Sequence, residues 1–130
     1  MSEVHFVAVG LERSPEVVLD RKYNGMQADI WSLGIVLFEV LCGIRVIESI
    51  FNCAGDPVRA GGLGDMIKRI RSGFEAPGAV AHHLSDRCLP EPRPMLPFAS
   101  PMLTGMLNVV GAQRWPAQQV LQASLRLPVP

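Results

Sequence analysis

Three features of this 130-residue sequence predict an all-α fold. Residues 26–43 form a nearly continuous apolar run between two helix-boundary signals. Residues 63–72 carry apolar side chains at helical spacing, and that spacing returns over residues 98–110. A last helix is expected near residues 116–126, where Pro116 stands at its first turn.

The run at 26–43 is the centre of the prediction. Ile30, Trp31, Leu33, Ile35, Val36, Leu37, Phe38, Val40 and Leu41 wrap the whole helical cylinder, and only Ser32 and Glu39 interrupt them. A helix that is apolar all round belongs in a protein core or a membrane. Asn24 is placed to cap its free N–H groups, and Gln27, three residues on, completes a capping-box pattern. Gly43 suits the left-handed turn that follows a helix. A membrane span needs about 20 mostly apolar residues. Here Asp29, Glu39 and Arg45 interrupt the run and Gly43 breaks it early. A central charge costs about 2.5–3.5 kcal/mol on insertion. The sequence therefore reads as a buried core helix, with a membrane-associated segment as the lesser alternative.

Composition fits one globular domain with a single core, since 48% of the residues are hydrophobic. The formal net charge is zero, so no nucleic-acid partner held by bulk charge is expected. Cys42, Cys53 and Cys88 are odd in number and lack CxxC spacing, which points to reduced thiols in an intracellular, cytoplasmic setting. No signal-peptide pattern is visible at the start.

In chain order, residues 4–9 (VHFVAV) are β-branched enough to be extended. Ser14 is suited to cap a short helix with Pro15 at its first position. Residues 43–63 read as a loop. Leu63, Met66, Ile67 and Ile70 define an amphipathic helix that Gly73 ends. Residues 75–101 read as irregular, because prolines at 77, 90, 92, 94, 97 and 101 oppose a helix and favour polyproline II. Met102, Leu103, Met106, Leu107 and Val110 mark the next helix. His82, His83 and Cys88 lack a fourth ligand and metal-site spacing, so they read as solvated loop residues. Arg93-Pro94-Met95-Leu96-Pro97 contains P-x-x-P and reads as a linker, with a Pro-rich peptide ligand as the lesser alternative.

Ser14-Pro15-Glu16, followed by Ala28-Asp29-Ile30-Trp31-Ser32-Leu33-Gly34, resembles the C-terminal lobe of eukaryotic-type serine/threonine protein kinases. Ser14-Pro15-Glu16 looks like the motif that closes the activation segment. The stretch from Ala28 to Gly34 is similar to the D-x-W-S-x-G motif of the family's long buried helix. Residues 102–107 look like a later helix of that lobe, and Arg114 like its late arginine. The pattern departs after Gly43, where no P-F pair follows, and before Arg114, where the usual aspartate–proline pair is missing.

The resemblance implies that residues 1–126 are a partial kinase C-lobe and 127–130 a tail. It implies a buried salt bridge between Glu16 and Arg114, and packing roles for Trp31, Ser32 and Gly34. In the family, the counterpart of Asp29 accepts hydrogen bonds from the catalytic loop; in this chain Asp29 reads as a helix-start carboxylate favoured by the macrodipole. The intact family uses ATP and magnesium. The sequence holds no Gly-rich loop, H-R-D or D-F-G motif, so no catalytic, cofactor-binding or metal residue is assigned. The expectation is a truncated kinase-like domain, inactive alone, that needs a missing N-terminal kinase portion. The alternative is a catalytically dead interaction module that binds a protein partner. Without the elements that cover the central helix in a whole kinase, an exposed apolar patch is expected, with marginal stability or self-association.

Overall fold

A computed structural model describes residues 14–15, 24–51 and 63–127. The described residues are helical, with no strand among them. Among them, six α-helices follow in order: α1 (Gly25–Cys42), α2 (Val46–Ile50), α3 (Leu63–Glu75), α4 (Ala79–Arg87), α5 (Leu96–Met106) and α6 (Ala117–Ser124). Single 3-10 turns stand at Arg93–Met95 and Gly111–Gln113. The extended segment expected at 4–9 lies outside the described residues, as does most of the short helix expected after Ser14. Pro15 itself is helical and buried.

α1 forms where its signals place it. The Asn24 side chain accepts from the backbone N–H of Met26 at 2.9 Å and of Gln27 at 3.2 Å. Gly43 closes the helix with φ 109° and ψ 153°, and its N–H donates to Glu39 O at 2.7 Å. That ψ lies far from the left-handed helical well, in a region open essentially to glycine. α4 and α5 pack against α1, and α5 also holds α4 and α6. Ile30, Trp31, Ile35, Phe38 and Leu41 of α1 share one core with Met66, Ile67, Ile70, Leu84, Leu103 and Met106. Phe74 joins α3 to this core, its ring 6.1 Å from Trp31, 6.0 Å from Phe38 and 5.1 Å from Phe51.

Several expected boundaries shift. The loop expected at 43–63 contains α2, entered through Arg45 in the left-handed region (φ 67°). The Arg45 Nε donates to Glu48 at 3.0 Å, which pairs a carboxylate that is otherwise buried. Gly73 does not end α3, which runs on to Glu75. Its role is steric, because a Cβ there would meet the ring of Phe51. Residues 75–101 are not irregular. α4 occupies 79–87, and Val80, Leu84 and Cys88 are buried at four-residue spacing. The prolines oppose an α-helix only over 90–95. Pro92 and Pro94 sit at the 3-10 turn, and Pro97 falls in the first turn of α5, where its missing N–H costs nothing. Arg93 folds back so that its guanidinium donates to Ser85 O at 3.1 Å and Cys88 O at 2.9 Å, satisfying carbonyls at the end of α4. The P-x-x-P segment is therefore a 3-10 turn leading into a helix, not an extended peptide ligand.

α1 is buried on one side only, and its other side carries the exposed apolar patch expected of this fragment. Eight of its 18 residues are buried. Met26, Leu33, Val36 and Val40 are exposed, and so is Asp29. At 100° per residue these five positions fall within a sector of roughly 80°, so the helix is core on one side and bare on the other.

Candidate functional site

Two features of α1 are the candidates for function: the buried junction with Arg114 and the bare face.

Trp31 and Gly34 sit on the buried side of α1. A Cβ at Gly34 would lie 2.8 Å from Leu107 Cδ2 and 3.2 Å from Met106 Cβ, so the glycine lets the end of α5 approach the α1 backbone. Arg114 is buried against Trp31. Its Nε donates to Asn108 O at 2.9 Å, and one terminal nitrogen donates to Gln27 O at 2.7 Å. Its guanidinium carbon stands 5.3 Å from the Trp31 ring centroid, within cation–π range. Gln27 is in the first turn of α1, so this side chain clips the C-terminal region onto the start of the central helix. The next residue, Trp115, donates its backbone N–H to Gly105 O at 3.0 Å, and its indole covers Gly105 closely enough to exclude a Cβ.

The structure thus brings together two of the five residues marked in the sequence, Arg114 and Trp31, and sets a third, Gly34, against the end of α5 on the same buried side of α1. Glu16 lies outside the described residues, and with it the expected ion pair to Arg114. Asp29 is exposed and is the fifth residue of α1, just beyond the first turn, where the macrodipole acts most strongly. The helix start is capped by Asn24 instead.

Among the described residues, no three His, Cys, Asp or Glu side chains converge as a metal-holding group. His82 and His83 lie on α4, not in a loop. His83 is half-buried and packs edge-on against Phe51 at 5.5 Å and Phe74 at 6.1 Å. Burial lowers its pKa from the ordinary 6.5, and His82 and Arg87 act in the same direction. The folded pKa is below the unfolded one, so the unfolded chain binds more protons in this range. Stability from this group is complete above about pH 6.5 and is lost as pH falls through the folded value. The melting temperature is expected to drop on acidification below about pH 6.5, and His83→Phe is expected to flatten that dependence. Thermal melts of both proteins across that range check it.

Cys42 and Cys88 are buried free thiols close to each other. Burial pushes Cys42 up to about 11, with Cys88 adding to the effect, and burial raises Cys88 as well. Both are protonated at neutral pH, which makes them poor nucleophiles.

The bare face runs the length of α1. Met26 is 72% exposed, Leu33 45%, Val36 41% and Val40 65%; Ile44, just past the helix, is 83% exposed. These are five of the ten exposed large apolar residues among those described. By length and composition α1 could also cross a membrane, but its opposite side is packed into the protein core.

Comparison with known proteins gives a partial likeness. No protein-family model matches the chain, and no solved structure matches it. A 30-residue stretch, 23% of the chain, is 53% identical to testis-specific serine/threonine-protein kinase 5 of Mus musculus, covering 8% of that protein. CBL-interacting protein kinase 30 of Oryza sativa subsp. japonica is 57% identical over 30 residues, 23% of the chain and 6% of that kinase. The probable serine/threonine-protein kinase MARK-C of Dictyostelium discoideum is 45% identical over 38 residues, 29% of the chain and 5% of its own length. The chain thus carries a segment similar to serine/threonine kinases, and the match spans less than a tenth of each relative.

Proposed function

We propose that this chain is the substrate-side helical scaffold of a serine/threonine-kinase-like domain and does not transfer phosphate by itself. Its working surface is the bare face of α1, which serves as a docking site for protein. The observation that carries this reading is the pairing of a kinase-like segment with an apolar helix face left in solvent. Contiguous apolar surface of this kind marks an interaction site in a soluble protein. ATP-dependent phosphorylation belongs to the intact family, whose Gly-rich loop, H-R-D and D-F-G motifs are not in this sequence. The buried thiols fit an intracellular, cytoplasmic setting.

The test is calorimetric titration of the purified chain with magnesium-ATP, run beside a phosphate-transfer assay on a mixed peptide substrate. No saturable nucleotide binding and no transfer are expected. Magnesium-dependent binding with peptide phosphorylation would overturn the reading.

A further inference from the structure

The bare face of α1 has a sequence register that speaks to what covers it. Met26, Leu33 and Val40 recur every seven residues, and Asp29, Val36 and Gly43 recur every seven between them. Positions seven apart lie within about 20° of each other on a straight helix, so Met26, Leu33, Val36 and Val40 form one apolar line that a single partner helix covers. We infer that the stripe Met26–Leu33–Val36–Val40 is a homodimer interface, on which α1 of a second copy lies antiparallel. This rests on the reading of that face as a docking surface and adds its occupant.

Three observations favour a second copy in that orientation. The first is shape. An antiparallel two-fold places Leu33 against the second copy's Val36, twice, and Met26 against the second copy's Gly43. The larger side chain meets the smaller at each of these crossings, so the stripe complements itself. Charge is the next. Asp29 is the one ionisable residue in the stripe, and no basic side chain lies along α1 to pair with it. In a parallel pair the two Asp29 carboxylates would face each other. In the antiparallel pair Asp29 faces Val40, and its counterpart lies about 16 Å away along the axis. The chain's formal net charge of zero leaves no long-range repulsion between copies. The third is area. The exposed parts of the stripe, with Ile44, offer roughly 500 Å² per copy, about 1,000 Å² in all, at the lower edge of specific interfaces. That size fits a reversible dimer rather than a permanent one.

The antiparallel register gives the experiment. Sedimentation equilibrium of the full chain from about 1 to 300 µM should show the mass rising from 14.2 kDa towards twice that value. L33K and V36E both alter exposed positions, so each should keep its helical circular dichroism and sediment as a monomer. Mixed in equal amounts they should associate again, because the lysine introduced in one copy then faces the glutamate introduced in the other. A parallel seam would give no such rescue. A wild-type monomer throughout, a dimer that both variants leave intact, or failure of the mixture to recover would overturn the proposal. Binding of a hydrophobic dye separates the two readings. A monomer whose dye binding is lost in L33K keeps the docking face and removes the dimer. A monomer that binds no dye removes both.

Discussion

Replacing Arg114 with alanine is expected to destabilise the fold by about 3–6 kcal/mol, the range for losing two buried hydrogen bonds from a charged donor. The substitution strips a donor from Gln27 O and another from Asn108 O, and uncovers the face of Trp31. Hydrogen bonds from a charged donor contribute about 1.5–3 kcal/mol each, more than a neutral pair. Domains of this size have about 5–15 kcal/mol in total, so the loss is a large share of the stability of the fold. Arg114→Lys is expected to recover only part of the loss. A lysine ammonium is a single point on a flexible stem, whereas the guanidinium reaches two carbonyls with different nitrogens while lying over an indole. Urea denaturation of the three proteins, followed by circular dichroism, gives the differences directly.

Trp31→Ala should cost a similar amount, about 3–5 kcal/mol, by leaving a cavity in the centre of the core. Trp31 is fully buried and packs edge-on against Phe74. Its Nε1–H is buried without a hydrogen-bond partner, so its contribution is packing and ring electrostatics rather than a polar anchor. Because Arg114 stands over the same ring, the two losses should not add. The double variant is expected to fall short of the sum by about 0.5–2 kcal/mol, the range from an exposed to a desolvated cation–π contact. Strict additivity in a double-mutant cycle would show that the two side chains stabilise the fold independently.

Much of this arrangement is legible in the sequence where one signal acts alone. Asn24 and Gly43 bracket α1 because capping is local chemistry, and the structure places both ends within a residue of those marks. The junction of Gly34 with α5 is readable as a need for close approach, although the sequence does not say which residues approach. Sequence and structure part where two signals compete. At Gly73 the low helix propensity of glycine points to a stop, but contact with Phe51 requires the missing side chain and the helix continues. Over residues 75–101 the count of prolines masks α4. Its signal is the sparse series Val80, Leu84 and Cys88, two buried positions on the helix and one at its C-terminal cap. Prolines at 92, 94 and 97 have the φ that 3-10 turns and first helical turns also need, so they are compatible with helix on either side. The resemblance implies an exposed apolar patch on α1, but which side carries it is hidden for a different reason. An apolar run shows that a helix can be buried all round, and only the tertiary arrangement shows which side is left without a neighbour.

The dependence of the fold on α1 is tested most directly by native-state hydrogen exchange of the isolated chain, followed residue by residue. The backbone amides of Trp31, Ile35 and Phe38 are expected to exchange only through global unfolding, together with those of Leu103 and Met106 in α5, which share their core. Rapid exchange along α1 while α5 stays protected would contradict the central place given to this helix. So would rapid exchange throughout, which would mean that the chain does not hold this fold by itself.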